Sequence, residues 1–391
     1  MLSFSTLRLL QPNSVMTAML SPRRAAMVLL LPLCLMLSSC QPIIVDAFDD
    51  YQQRLSKVLQ LPSVMPVTPP DAEYLVKLPA KPQWTRPEHA NLSLLEMMEL
   101  RGCALGNLIA ERNNSLGKVQ PWLLRLEYEI ALQQHWPNCQ QLALSDSLRQ
   151  KLTTAMAAKA ADVPALFQHV LQDDASLRQQ LFGQRRWIKV DGNAGLGQTQ
   201  AALQSLLQLQ QHIVAASVSG QWSVIPSQQA VDAFAALYQS QVLADLSYST
   251  REFTTKLQQL NQQLWQWQAT VTPSLAVAAK HAPALPTQNA KDVSDLCPIP
   301  PHRRTEQLPI VQTIFQRFYL GHIQPYSAAL DGYSQQLVPL LLQLYPEPQW
   351  QAFIQQRYAK PAADMRHALQ QHVQFWQWFQ QHCGAIAPRP T

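Results

Sequence analysis

Apolar residues recur at intervals of three and four along most of this chain, the spacing that places them on one face of an α-helix. Between residues 46 and 60, Phe48, Tyr51, Leu55, Val58 and Leu59 share one side. A capping box, Ser93-Leu94-Leu95-Glu96, with Leu92 and Met97 as its apolar staple, opens a helix reaching about Arg112. Its stripe is Leu95, Met98, Gly102, Leu105 and Ile109, and Gly102 with Gly106 one turn on leaves room for another backbone. Pro121 suits the first position of the next helix, which carries Trp122, Leu123, Leu126 and Ile130 and ends at Pro137 and Asn138. Helices follow over 140–161, 164–181 and 198–216, then a long one from Pro226 to about Trp267. The second half of that helix repeats Phe253, Leu257, Leu260, Leu264 and Trp267, a seam for a neighbouring helix. The spacing predicts further helices over 305–344, kinked at Pro325, then 347–358 and 361–382. The last carries Met365, Leu369, His372, Trp376, Phe379 and Cys383 on its apolar stripe.

Two stretches break this rhythm. Residues 61–90 and 273–309 hold seven prolines each, too many for a helix interior, which loses a hydrogen bond and gains a clash at every proline. Both are expected to be extended. The first contains Val64, Val67, Tyr74, Leu75, Val76, Leu78 and Trp84, too apolar for a solvated tether, so it is expected to lie as a strap across the body. The fold class is therefore all-α: a bundle of long and kinked helices with two proline-rich extended straps.

Composition explains why the helices are so little charged. The chain is 47% hydrophobic and 14% charged, with 52 glutamines among its 391 residues. Glutamine fills the positions between apolar ones, as in Leu257-Gln258-Gln259-Leu260-Asn261-Gln262-Gln263-Leu264, where it favours helix without adding charge. The 11 glycines are too few for an all-β protein of tight turns or a glycine-rich nucleotide fold. The apolar content supplies a sizeable core and excludes wholesale disorder.

The first forty residues bear on the compartment. Arg23 and Arg24 precede an apolar run from Ala25 to Leu37, 13 residues long and too short to span a bilayer as a helix. A basic region, a short apolar run and small residues after it make a secretory signal. Leu37-Ser38-Ser39-Cys40 resembles a bacterial lipobox, which implies cleavage before Cys40 and a thioether-linked lipid on its sulfur. Residues 1–39 are then a lipoprotein signal peptide and 40–391 a single helical domain, anchored through Cys40. Gln41 follows where aspartate would favour the inner membrane, so the expected address is the periplasmic face of the outer membrane. Cleavage removes Arg8, Arg23 and Arg24 and no acid, so the net charge falls from +5 to +2. Nucleic acid is not an expected partner.

Beyond Cys40, Cys103, Cys139, Cys297 and Cys383 remain, an even number in an oxidising compartment, which suggests two disulfides. Three connectivities exist for four cysteines. The preferred one is Cys103–Cys139, stapling neighbouring helices, with Cys297–Cys383, pinning the last helix to the second proline-rich stretch. No C-x-x-C occurs, and the ten histidines form no metal spacing, so no metal site, cofactor or catalytic residue is expected.

The most distinctive segment is Glu111-Arg112-Asn113-Asn114-Ser115-Leu116-Gly117-Lys118. It is not a Walker A loop, because Arg112 stands where the first glycine belongs and Val119 replaces Ser/Thr. It has the chemistry of a helix corner, with Asn and Gly to cap and turn the chain. It is also the candidate binding loop, through Glu111, Arg112, Asn113, Asn114, Ser115 and Lys118. Gly192-Asn193-Ala194-Gly195-Leu196-Gly197 is read as a short interhelical loop, and the acidic pairs Asp49-Asp50 and Asp173-Asp174 as helix N-terminal charges.

Together with Arg101-Gly102-Cys103 and Ile323-Gln324-Pro325-Tyr326, the Glu111–Lys118 segment resembles an uncharacterised family of gammaproteobacterial lipoproteins, domain of unknown function 3080. The resemblance implies a lipid anchor at Cys40 and one domain, and brings no activity. The expected role is a non-enzymatic scaffold or binding protein of the cell envelope. The membrane is its first partner, and an envelope protein, peptidoglycan or a lipid its second. The alternative is an envelope enzyme or small-ligand carrier, its site assembled from Glu111, Arg112, Asn113 and Lys118 near His322 or His372.

Overall fold

The computed structural model describes residues 44–63, 77–83, 91–182, 186–190, 195–225, 228–281 and 297–384. Cys40 and the signal segment lie outside the described residues. The chain divides into two compact units, Met1–Asp46 and Ala47–Thr391. Of the first, only the opening turn of helix α1 (Ile44–Leu59) is described. The second is all-α, with no strand among its described residues.

Its helices after α1 are α2 (Leu94–Glu99), α3 (Ala104–Asn113), α4 (Ser115–Lys118), α5 (Trp122–Cys139), α6 (Asp146–Asp173) and α7 (Ala175–Phe182). They continue with α8 (Leu196–Ser219), α9 (Gln229–Ser240), α10 (Val242–His281), α11 (Pro301–Ile314), α12 (Gln324–Leu344), α13 (Pro348–Ile354) and α14 (Lys360–Cys383). Among these, α5 packs along α6, α8 along α9, and α10 along α14. No described helix is long and apolar enough to cross a membrane.

Prolines shape the helices differently from the sequence expectation. Pro164 sits inside α6, which runs unbroken from Asp146 to Asp173. The break falls instead at Asp174, whose carboxylate accepts the Leu177 N–H at 2.7 Å and starts α7. The acidic pair is thus split between one helix end and the next cap. The expected helix from 226 to 267 is two, parted at Gln241, where φ is +50°. Its second part passes Pro273 and reaches His281, and α11 opens on Pro301, so residues 273–281 and 301–309 of the second proline-rich stretch are helical and not extended as expected. Pro325 and Pro361 each follow a π-helical segment, Phe315–Ile323 and Gln355–Ala359. A proline offers no N–H and crowds the carbonyl four residues back; a widened turn relieves that crowding and keeps the chain helical. The wide turn at 355–359 also aims Arg357 and Tyr358 at one carbonyl, that of Leu181 in α7, at 3.1 and 2.8 Å.

The described parts of the first proline-rich stretch, 61–63 and 77–83, are non-helical. The second part lies on the body: Arg178 donates to the Pro79 carbonyl at 2.7 Å, and Lys81 pairs with Asp173 at 2.9 Å. Cys103 is joined to Cys139 and Cys297 to Cys383, with Cα atoms 5.5 and 4.5 Å apart.

The main core closes around His372. Its ring is fully buried beside Tyr51 of α1, Asn261 of α10 and Trp376 of α14. Asn261 Nδ2 donates to the Ala368 carbonyl at 2.7 Å, which turns its Oδ1 toward the ring. His372 Nδ1–H therefore donates to that oxygen at 2.8 Å, leaving Nε2 as acceptor. Tyr51 donates to Nε2 at 2.9 Å, and the Trp376 N–H is shared between Nε2 and the Tyr51 hydroxyl at 3.0 and 3.1 Å. Burial lowers the His372 pKa to about 3, so the ring is neutral. Trp267 and Trp376 are buried, while Trp265 and Trp378, each two residues away, are half-buried against Phe375.

Candidate functional site

A second, smaller core lies under α2, α3, α5 and the first half of α6. Leu100, Leu105, Leu132, Trp136, Leu148, Leu152 and Met156 fill it, and Cys103–Cys139 ties its edge. The expected 3, 4, 3, 4 stripe does not run through it. A 3-10 turn at Leu100–Gly102 and an extended Cys103 (φ −128°) part α2 from α3 and reset the helical phase. Leu95 and Met98 consequently face solvent, 74% and 45% exposed, while Leu100 and Leu105 are buried. Gly106 does allow a close approach, but by this chain's own turn: a Cβ there would lie 2.6 Å from the Leu100 carbonyl oxygen.

Above this core opens a cleft of about 480 Å³. Each helix contributes one face. From α5 come Arg125, Tyr128, Glu129 and Leu132; from α6 come Leu152, Ala155, Met156 and Lys159, both sets at i, i+3, i+4 and i+7. Ile109, Arg112 and Asn113 of α3, Lys118, Met97 of α2 and Leu92 just before it complete the wall with Asn91.

Local chemistry holds this wall in place. The expected capping box is formed: Ser93 N–H donates to Glu96 at 2.6 Å, and the Ser93 hydroxyl accepts the Glu96 N–H. Glu96 also takes the Lys151 ammonium at 3.0 Å, and Glu99 accepts the Ser145 N–H at 2.8 Å, so both carboxylates clamp α2 onto α6. The Ser93 N–H, with Lys151 and the Ser93 hydroxyl, holds the Glu96 carboxyl down at about 2. At the corner, the Asn114 side-chain oxygen Oδ1 accepts the Gly117 N–H at 2.7 Å, and the Arg112 guanidinium donates to the Gly117 carbonyl. A Cβ on Gly117 would lie 2.3 Å from the Glu111 carbonyl oxygen, so this tight corner admits only glycine.

Among the described residues, four cations line the cleft, Arg112, Lys118, Arg125 and Lys159, against one carboxylate, Glu129. Lys159 and Glu129 pair at 2.7 Å and are largely buried, leaving a cationic excess on the opposite wall. Arg125 is 5% exposed, its guanidinium over the Trp122 ring. Burial, and next the charge of Glu129, push the Tyr128 phenol up, so it stays protonated as a neutral donor. Such an arrangement can bind an anion and, through Leu132, Leu152 and Met156, an apolar group beside it. Among the described residues its lining contains no serine, cysteine or histidine.

The candidate loop is thus both a corner and a wall. Arg112, Asn113 and Lys118 line the cleft; Glu111, Asn114 and Ser115 do not and are exposed. Neither histidine joins them: His372 belongs to the main core, and His322, in the π-helical segment, is exposed. Sequence reasoning missed Arg125, Tyr128, Glu129 and Lys159. Their signal was available as charges at helical spacing beside apolar positions. Of the Gly192–Gly197 segment, Gly192, Asn193 and Ala194 lie outside the described residues, and Gly195 precedes α8 with φ +80°. No group of three metal-ligating side chains occurs among the described residues.

The model of a protein family of unknown function, DUF3080, matches residues 48–285 and 285–387, and the chain belongs to that family. No curated protein matches it, and no solved structure does.

Proposed function

We propose that this protein is a lipoprotein of the bacterial cell envelope, anchored through Cys40 at the periplasmic face of the outer membrane, that binds an anionic ligand in the α2–α6 cleft. The observation that carries the binding role is the cationic excess of that cleft over an apolar floor. Concave sites with a few convergent polar groups on apolar walls are the usual form of ligand sites. Binding without turnover suits a lining whose one carboxylate is tied to Lys159. The anchor rests on the Leu37-Ser38-Ser39-Cys40 motif.

Two measurements test the two halves. Cells fed labelled palmitate should label the wild-type protein and not Cys40→Ala; equal labelling of both removes the anchor. A photo-cross-linking side chain at position 118 should capture an envelope component that one placed outside the cleft lining, at the exposed position 373 of α14, does not. Capture of the same component by both positions, or turnover of envelope substrates by the purified protein, overturns the binding role.

A further inference from the structure

Helix α8 turns an uncharged face to solvent. Its inner face, with Leu203, Leu206, Leu209 and Ile213, is buried. Its outer face carries Ala201, Gln204, Gln208, Gln211 and Ala215, all exposed and spaced 3, 4, 3 and 4, so they stand in one line along the helix. Val218 extends that line and is 88% exposed. At the other end, nothing lies within 4 Å of where a Cβ on Gly197 would stand. The segment around this face is unusual in its charge. Residues 192–231 include no Asp, Glu, Lys or Arg, forty consecutive positions in a chain that is 14% charged. The surfaces of α1 and α14, by contrast, carry the ion pairs Asp50–Arg54 and Lys360–Asp364. Depletion of charge, more than apolar content, marks the centre of a protein–protein interface.

The order of the residues says what covers this face. About Gln208 the line reads alike in both directions: a glutamine three or four places away, then an alanine seven places away. A two-fold axis at Gln208 sets that residue against its own copy, and Ala201 of each chain opposite Ala215 of the other. In such a contact the same patch serves both partners and must complement itself. Glutamine does so without an opposite charge, because its carboxamide both donates and accepts. The alanines let the two helices approach closely at either end.

We propose that two copies of this protein associate through α8, antiparallel, about a two-fold axis at Gln208. No described residue of α8 lines the α2–α6 cleft, so this interface goes beyond the binding role and stands or falls apart from it. One helix per partner is a narrow contact, so the dimer exchanges readily and a covalent trap reads it best.

The test uses the full chain in intact cells, with one cysteine added on α8 and mild oxidation. Gln208→Cys should give a disulfide-linked dimer on a non-reducing gel. Ala201→Cys and Ala215→Cys should each give at least fivefold less by themselves, and a mixed dimer at the Gln208→Cys level when the two are co-expressed. Adding Ala201→Glu and Ala215→Glu to the Gln208→Cys chain should cut trapping at least tenfold. Ala201→Glu with Ala215→Lys instead sets opposite charges together across the axis and should retain it. These positions are exposed, so the yield of protease-resistant protein should stay the same in both charge variants. Absence of the Gln208→Cys dimer, or trapping unaffected by the two glutamates, overturns the interface. Self-linking strongest at Ala201→Cys, with both charge variants losing the dimer, overturns the antiparallel order. A linked species holding another protein in place of the second copy overturns self-association.

Discussion

The His372 core and the α2–α6 cleft both bury polar side chains between helices, with opposite results. Around His372 the partners are all protein. Tyr51, Asn261 and Trp376 satisfy both ring nitrogens, and aromatic rings such as Tyr319, 4.7 Å away, occupy the remaining space. Such a closed network ties α1, α10 and α14 together and leaves nothing for a ligand. In the cleft, Arg112, Lys118 and Arg125 line open volume, and the ion pair of Lys159 with Glu129 covers only one wall. Burial alone therefore does not distinguish structure from function. What distinguishes them is whether the buried polar groups face each other or face a space.

The contrast can be broken first at the closed network. His372→Ala removes the buried partner of the Tyr51 O–H and of Asn261 Oδ1 and opens a cavity, so it should cost about 3–5 kcal/mol in urea unfolding and leave ligand capture at position 118 unaltered in the folded fraction. A loss under 1 kcal/mol would show that the network does not hold the helices.

At the cleft, the corresponding support is covalent. Cys139→Ser opens a crosslink between residues separated by 36 positions and should cost about 3–4 kcal/mol. Hydrogen exchange should locate that loss in α2, α3 and α5, with α10 and α14 still protected. Uniform loss of protection would mean that the two regions are one cooperative unit.

Acid separates them further. The folded His372 pKa, about 3, lies below its ordinary 6.5, so the unfolded chain binds more protons between these values. The stabilisation is complete above pH 6.5 and shrinks as pH falls toward 3, by about 1.4 kcal/mol per unit. Urea midpoints measured from pH 7 to 5 should drop, and the slope should flatten in His372→Phe. The smallest change is expected from Lys118→Ala, within about 0.5 kcal/mol in stability because the side chain is exposed. Its effect should appear only in ligand capture by a cross-linking side chain at position 113, another residue of the cleft lining.

Much of the main core was legible in local pattern. The repeat Phe253, Leu257, Leu260, Leu264, Trp267 is buried along α10, and Met365, His372, Trp376 and Phe379 are buried along α14. Where the helix is continuous, residue spacing maps directly onto a face. The region of the cleft was less legible because its helices are short and interrupted. Leu95 and Met98 fit a stripe that a single 3-10 turn displaces into solvent. Of the candidate binding loop, Arg112, Asn113 and Lys118 line the cleft, because a corner rich in polar side chains also projects them. Arg125 and Lys159 come from helices whose mutual rotation no local pattern contains.

The amino-acid sequence by itself determined that this protein is all-α, where most helices begin, and which glutamines dilute the charge of their faces. Those are properties of spacing and capping, set within a few turns of chain. Only the tertiary structure decided that Pro164 and Pro273 lie within helices, that His372 is spent on a closed network, and that four cations from α3, the corner, α5 and α6 surround one cleft. A proline's cost can be absorbed by packing, and a side chain becomes part of a site only when another helix leaves space in front of it.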